Sequence, residues 1–308
     1  MRVSAILISD LHLREKTPLS RFDNYLDAQK NKLRFLKELA EYHEAPIICA
    51  GDIFDTWKVT PFFLGWCIDN MPYMYVVAGN HDLPAHSIEN YEKSALSVLE
   101  KAVAVELIRP DEYIAINSDN AFHIVGSHWG CELSYKKSGK YSCRTLGVFH
   151  EMIFSGNDNM QRLGVAGYTA KEFIQKHPDI DLLLVGHNHE VINKKYKDQR
   201  LINAGSVMRM TAKQMEHNPV CFLWDANTNE VEERKIPCMP VADVLSRDHI
   251  DRVKDKEERL DIFMESFVEK VGGNINVGLD YRKNVEKYLG KSGIDPAIEK
   301  VIWEALED

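Results

Sequence analysis

Residues 47–55 read Ile47-Ile48-Cys49-Ala50-Gly51-Asp52-Ile53-Phe54-Asp55. The four apolar or small residues predict a buried strand, Gly51 ends it, and Asp52 stands where the strand gives way to a loop. Open α/β sheets bind ligands at such strand ends. Asp52 is therefore either the N-cap of the next helix in an ordinary turn or a carboxylate shared by two metal ions. The rest of the chain decides between these interpretations.

Four more apolar runs end in side chains that commonly bind metals. The sequences at their ends are Asp10-Leu11-His12, Gly79-Asn80-His81-Asp82, His150-Glu151 and Gly186-His187-Asn188-His189. A polar strand exit would explain any one of them, but their recurrence indicates a common site. Because residues two apart in a strand project to the same side, we expect Asp10 and His12 to point together, and His187 and His189 to do the same.

The spacing of apolar residues predicts helices over 26–43, 61–69 and 87–103. The first helix would join the strands over 3–9 and 47–50 in a βαβ unit, whose parallel strands bring Asp10, His12 and Asp52 to one edge of a sheet. Further strands are predicted over 74–78, 105–108, 113–116, 121–125, 146–149 and 182–185, with hairpins over 191–203 and 222–236.

A chain of 308 residues can hold one large α/β domain and a smaller appendage. Pro237 and Pro240 mark a change to charged helical sequence, so we expect a catalytic domain over 1–240 and a small C-terminal helical region over 241–308 whose role the sequence does not assign. The net charge of −9 argues against broad contact with nucleic-acid phosphates, although two bound metal ions would reverse the sign locally.

The six cysteines include no Cys-x-x-Cys pair, which favours reduced thiols over disulfides or a thiolate metal site. The apolar run before Asp10 is too short for a signal peptide, and no segment reaches membrane-spanning length. We expect a cytoplasmic protein with no membrane association.

We call the five strand ends junctions and number them in chain order, at residues 10–12, 51–55, 79–82, 150–151 and 186–189. Together they supply seven nitrogen and oxygen ligands, which is more than one ion needs. They are Asp10, His12, Asp52, Asn80, His150, His187 and His189. Two ions sharing Asp52 would leave positions open for water and substrate, and the mixed imidazole and carboxylate set suits Mn, Fe or Zn and does not favour Ca.

Two such ions, about 3.5–4 Å apart, generate hydroxide at neutral pH and clamp the attacking and leaving oxygens at phosphorus. We expect metal-bound hydroxide as the nucleophile. His81 is placed to stabilise or protonate the leaving oxygen, and Asp82 or Asp55 could orient His81.

Three other features have weaker functional signals. His123 is interpreted as a strand residue, and His128 as structural because no second ligand stands near it at a matching spacing. The segment 135–144 interleaves four basic residues with two tyrosines, so it is either a solvated loop or a surface that contacts a phosphodiester backbone and stacks on bases.

The ordered blocks D-L-H (10–12), G-D-I-F-D (51–55), G-N-H-D (79–82), F-H-E (149–151) and G-H-N-H (186–189) resemble the calcineurin-like metallophosphoesterases over roughly residues 1–236. The resemblance implies an α/β fold, a four-layer αββα sandwich of two facing sheets with the site at one edge. Within the superfamily, D-L-H-L, G-D-I-F-D-x-W and A-G-S-V-M-R (204–209) are most similar to the SbcD-type DNA-repair nuclease subunits. That similarity implies manganese, exonuclease and endonuclease activity on DNA, and an SMC-like ATPase partner.

Three functions remain open from the sequence. The first is a manganese-dependent DNA nuclease of repair or of a mobile element, and the second is a small-molecule phosphodiesterase or phosphatase, for example on nucleotides. The third is a binding module that has lost its chemistry, against which the intact ligand set argues. The partial apolar faces of the helical tail suggest a homodimer or ATPase contact.

Overall fold

The computed structural model describes residues 2–116, 121–135, 143–156 and 167–246. Its first sheet has six strands in the order β14-β13-β1-β2-β3-β4. Strands β1 to β4 are parallel, and β13 and β14 continue the sheet in antiparallel pairing. The strands are β1 (Ala5–Ile8), β2 (Ile47–Cys49), β3 (Met74–Val76), β4 (Val105–Leu107), β13 (Val220–Asp225) and β14 (Glu230–Lys235).

The second sheet also has six strands, in the order β11-β12-β10-β7-β6-β5. Its four central strands are parallel, and the edge strands β5 and β11 are antiparallel to their neighbours. These strands are β5 (Ile114–Ile116), β6 (Phe122–Ser127), β7 (Arg144–His150), β10 (Leu182–Gly186), β11 (Ile192–Tyr196) and β12 (Gln199–Asn203). A separate parallel pair comprises β8 (Ile153–Phe154) and β9 (Tyr168–Thr169).

Four α-helices are described, and each begins directly after a residue whose side chain caps it. They are α1 (Tyr25–His43), α2 (Pro61–Asn70), α3 (Ala95–Lys101) and α4 (Ala170–Lys176). The side chains of Asn24, Thr60 and Ser94 each accept a hydrogen bond from a backbone N–H in the first turn of the helix that follows. Thr169 and Glu172 form a capping box at α4.

The alternation of side chains along single strands shows how the layers stack. In β1, Ile6 and Ile8 belong to the core that includes residues of α1, α2 and α3, whereas Leu7 belongs to the core between the two sheets. In β10, Leu184 lies in that central core, and Val185 packs in a third core with residues of α4. The layers are therefore helix, sheet, sheet and helix, which confirms the predicted αββα sandwich.

Most predicted elements are present within a few residues of their expected ends, including both hairpins. The helix predicted over 87–103 is interrupted: a 3₁₀ helix over Ile88–Lys93 precedes α3, because Ser94 accepts a hydrogen bond from Ser97 N and starts a new helix. Among the described residues, no helix combines the length and apolar character needed to cross a membrane.

The chain continues against the domain for six residues beyond Pro240. Phe22 N donates to Val244 O at 3.3 Å, Ser246 N donates to Ser20 O at 2.8 Å, and the side chain of Leu245 is buried. The predicted helical region lies almost wholly outside the described residues, so its helices and the boundary at 240 stay predictions.

Candidate metal centre

His150 is the last residue of β7, whereas four other predicted ligands lie on tight turns beyond the strands. β1 ends at Ile8, and the backbone at Asp10, His12, Asp52 and His187 is left-handed, with φ values of 51°, 44°, 51° and 80°. Such values are uncommon for residues other than glycine and concentrate at functional sites. The strand periodicity from which we predicted the pairing of Asp10 with His12 is therefore not the geometry that brings them together.

Two of these turns run side by side. Asp10 N donates to Gly51 O at 3.1 Å, and His12 N donates to Asp52 O at 2.9 Å. These bonds carry the parallel pairing of β1 and β2 past the ends of both strands. The first and second junctions are thus locked into one surface.

The first group of ligand atoms comes from Asp10, His12 and His189. The Nε2 atoms of the two imidazoles are 2.9 Å apart, and Asp10 Oδ1 lies 3.9 Å from each of them. Asp10 and His12 are almost wholly buried, whereas the His189 side chain is 38% exposed. The group is therefore open to solvent on the side of His189.

The second group comes from Asp52, His150 and His187, with Asn80 among them. Asn80 Oδ1 is 3.1 Å from His150 Nε2 and 2.9 Å from His187 Nδ1. Asp52 Oδ2 is 3.3 Å from His150 Nε2. His187 and His189, which we expected to act together, thus lie in different groups, because the left-handed backbone at His187 turns the chain between them.

Asp52 lies between the two groups. Its Oδ2 atom is 3.6 Å from His12 Nε2 on one side and 3.3 Å from His150 Nε2 on the other. Its Oδ1 atom accepts a hydrogen bond of 2.9 Å from His81 N. A Cβ atom at residue 79 would stand 2.1 Å from that Oδ1 atom, so Gly79 is required for the close approach.

A buried carboxylate oxygen supports the interpretation as a cation site. Asp10 Oδ2 has no hydrogen-bond partner within the described part of the chain. His150 Nδ1 donates to Ala50 O at 2.7 Å, which leaves the lone pair of Nε2 directed at Asp52 and Asn80. Backbone carbonyls orient metal-binding histidines in this way. The donor set therefore fits two divalent cations.

Burial and neighbouring charges shift the pKa values of the ligand side chains. Burial raises the pKa of Asp10 to about 7 and lowers the pKa of His12 to about 3. Burial opposes the charges of Asp52 and His150 as well, but their mutual attraction outweighs it, so the pKa of Asp52 falls below its usual range and the pKa of His150 rises to about 9. Cations at the site would replace these protons as the positive charge that balances the carboxylates.

Comparison with known proteins identifies the family. A model of the calcineurin-like phosphoesterase superfamily domain matches residues 1–227. The chain belongs to the calcineurin-like phosphoesterase superfamily. No curated protein matches it.

Solved structures with similarity to the chain include an archaeal and a staphylococcal protein. One is a novel archaeal phosphodiesterase with 16% identity and a TM-score of 0.37, over 75% of this chain and 98% of that one. The other, named as a "putative 5′-nucleotidase" from Staphylococcus aureus in complex with alpha-ketoglutarate, has 12% identity and a TM-score of 0.47. That match covers 82% of this chain and 58% of the other.

His81 is partly exposed and borders this phosphoesterase site. Its ring packs edge-on against His12 at 4.9 Å between centroids, and its Nδ1 atom donates to Asp55 O at 2.7 Å. The carbonyl can only accept, so Nδ1 carries a proton and Nε2 is the nitrogen that remains available. His81 also forms a third group of candidate ligand atoms with His12 and Asp52, which leaves a role as a ligand open.

The two acids predicted to orient His81 act differently from each other. Asp55 reaches His81 through its backbone carbonyl, while its carboxylate pairs with Arg14 at 2.9 Å and lies 3.8 Å from His12 Nδ1. The carboxylate of Asp82 accepts three backbone N–H groups, those of Ile53, Phe54 and Gly79, at 3.2, 2.9 and 3.0 Å. In the structure, Asp82 therefore ties the second junction to the third.

Three features with weaker functional signals in the sequence are His123, His128 and the segment 135–144. His128 Nδ1 accepts a hydrogen bond from Ala78 N at 3.0 Å, which is the structural role predicted for it. His123 is a buried residue of β6, as expected. Most of the basic and aromatic segment 135–144 lies outside the described residues, so its role stays a prediction.

Two residues of the site were missed from the sequence. Arg14, two positions after His12, pairs with the carboxylate of Asp55. The ring of Trp129 packs against the ring of His187. Neither is a metal ligand by residue type, so the search for ligand patterns had no reason to select them.

Proposed function

We propose that this chain is a manganese-dependent phosphodiesterase that cleaves DNA. The observation that supports phosphoester hydrolysis most directly is the position of Asp52 Oδ2, within 3.6 Å of one imidazole of each ligand group. A carboxylate oxygen so placed can bind two cations at once. A pair of divalent cations lowers the pKa of water and neutralises charge on the oxygens of a phosphate.

The chain's own residues supply the remaining functions. His81, with Nδ1 fixed on Asp55 O, keeps Nε2 available to donate a proton to the leaving oxygen when the ring is charged. Arg14 holds the Asp55 carboxylate beside His12, which orients that imidazole. Buried hydrogen bonds of Asp82 keep the two loops in register.

The choice of DNA rests on the resemblance of the blocks at 10–13, 51–57 and 204–209 to SbcD-type nuclease subunits. We extend the proposal to a cytoplasmic role and to an SMC-like ATPase partner or a homodimer formed through residues 241–308. All six cysteines are unpaired thiols, which agrees with a reducing compartment. The net charge of −9 favours the alternative, a phosphodiesterase or phosphatase for small molecules such as nucleotides.

One set of assays separates these functions. The full chain is incubated with Mn²⁺ and, in parallel, with end-labelled single- and double-stranded DNA, bis-p-nitrophenyl phosphate, p-nitrophenyl phosphate and cyclic nucleotides. The proposal requires cleavage of DNA by the wild type and not by Asp52→Asn, which controls for a contaminating nuclease. Release of p-nitrophenol without DNA cleavage would support the small-molecule function, and no turnover at all would support a binding module.

The dimer is tested by light scattering. A truncation after Ser246 keeps the described contacts of Phe22 and Ser20 with the end of the domain. The proposal expects the full chain at twice the monomer mass and the truncated chain at the monomer mass. An equal association state for both would remove the tail as the dimer contact.

A further inference from the structure

Trp129 borders the second ligand group. The centroid of its ring lies 4.7 Å from that of His187, with the planes tilted by 39°, and 6.1 Å from that of His150, with the planes at 70°. The residue is only partly buried. A large aromatic surface therefore stands beside the candidate cation site and remains accessible in part.

The backbone holds this ring in place. Trp129 N donates to Ala78 O at 2.9 Å, and Ala78 N donates to His128 Nδ1 at 3.0 Å. Ser127 Oγ donates to Cys131 O at 2.6 Å across the same turn. Since Ala78 directly precedes Gly79 and Asn80, the turn with Trp129 is fastened to the strand end that carries a candidate ligand. The backbone that carries the ring is thus preorganised beside the site, which lowers the entropic cost of binding a partner.

We propose that Trp129 stacks on the nucleobase next to the scissile phosphate, so that the preferred substrates are nucleoside phosphodiesters. The inference rests on the proposed phosphodiesterase function and specifies its substrate class. In a nucleoside phosphodiester the base is one sugar away from the phosphate, so a phosphate bound by the second ligand group would bring a base within reach of the Trp129 ring beside His187 and His150. Aromatic side chains stack on bases with little regard to sequence, because every base has a π face.

The experiment compares two diesters with the same leaving group. Thymidine 5′-(p-nitrophenyl phosphate) carries a base, and ethyl p-nitrophenyl phosphate carries none. The ratio of their kcat/KM values is measured for the wild type, Trp129→Ala, Trp129→Phe and Trp57→Ala, each loaded with Mn²⁺ and assayed for bound metal. A loss of kcat/KM that is equal for both substrates cancels in this ratio. Trp57 is a matched control because it is 37% exposed and follows Asp55 by two positions.

We expect the ratio to fall about tenfold in Trp129→Ala, mainly through KM for the thymidine substrate, and to be largely restored in Trp129→Phe. An unchanged ratio in Trp129→Ala, or a fall in Trp57→Ala alone, overturns the stacking role while the phosphodiesterase function stands. Loss of bound metal from both Trp129 variants would also overturn it, since the ring would then act only by supporting His187. If the wild type hydrolyses neither diester, the proposed function fails and this inference with it.

Discussion

The Nε2 atoms of His12 and His189 face each other at 2.9 Å, although 177 residues separate them in the chain. Burial lowers the pKa of both imidazoles, which disfavours a charge on either ring. A hydrogen bond between them would satisfy one nitrogen of each ring but would leave Asp10 Oδ2 buried without a partner. Such an orphaned carboxylate oxygen is costly. A cation bound by the three side chains would balance the charge of this buried carboxylate and bind both Nε2 atoms.

The position of Asp52 predicts that one substitution affects both cations. In Asp52→Asn the amide can still accept from His81 N, but it removes the negative charge that both ligand groups share. We expect bound Mn²⁺ to fall from two ions to fewer than one per chain, as measured by elemental analysis after dialysis. Asp23→Asn, which alters an acid paired with Arg21, is the control and should retain both ions. Full occupancy in Asp52→Asn would exclude a shared carboxylate.

His81 is predicted to act on the substrate and not as a ligand. His81→Gln should retain both ions and lose about 10²–10⁴-fold in kcat, the usual contribution of a general acid or base. Its Nδ1–H bond to Asp55 O shows that only Nε2 is available. The comparison is with His43→Gln at the end of α1, which should behave as the wild type. Should the metal content of His81→Gln fall by one ion, His81 belongs to the third group of ligand atoms.

The sequence predicted the five junctions because strand, break and ligand are adjacent in the chain. It could not predict how the ligands divide between two groups. That division depends on left-handed turns at Asp10 and His187, and on contacts between residues far apart in sequence, such as His187 N with Asp10 Oδ1 at 2.9 Å. The positions of Asp82 and Trp129 likewise depend on contacts between residues far apart in sequence. Each is decided by backbone atoms of another loop, which residue type and spacing do not reveal.

We predict that the carboxylate of Asp82 stabilises the folded chain. Asp82→Ala would leave the backbone N–H groups of Ile53, Phe54 and Gly79 without their acceptor in a buried place. We expect the free energy of unfolding in urea to fall by about 3 kcal/mol or more, because each unsatisfied buried donor costs about 1–3 kcal/mol. Asp69→Ala, at an exposed position of α2, should change it by less than about 0.5 kcal/mol. A similar small change in Asp82→Ala would show that these loops do not depend on the carboxylate.

We predict that Lys32 makes the free energy of unfolding depend on pH. It is 5% exposed on α1, its Nζ atom donates to Val207 O, and burial, aided by Arg209 and Arg21, lowers its pKa from the usual 10.5 to about 7. Between these values the unfolded chain holds a proton that the folded chain has lost, so this group makes stability rise with pH. Lys32→Met should therefore reduce the gain in unfolding free energy between pH 6.5 and pH 9 by about 2 kcal/mol, as measured by urea titration.

The matched control for this effect is Lys37→Met, an exposed lysine of the same helix, which should keep the wild-type difference between the two pH values. The comparison depends on a change with pH and not on absolute stability, because Lys32→Met also removes the hydrogen bond to Val207 O and leaves that carbonyl without its donor. That loss is the same at both pH values and cancels. If Lys32→Met keeps the wild-type rise, Lys32 stays charged in the folded chain across this range, and burial does not set its pKa.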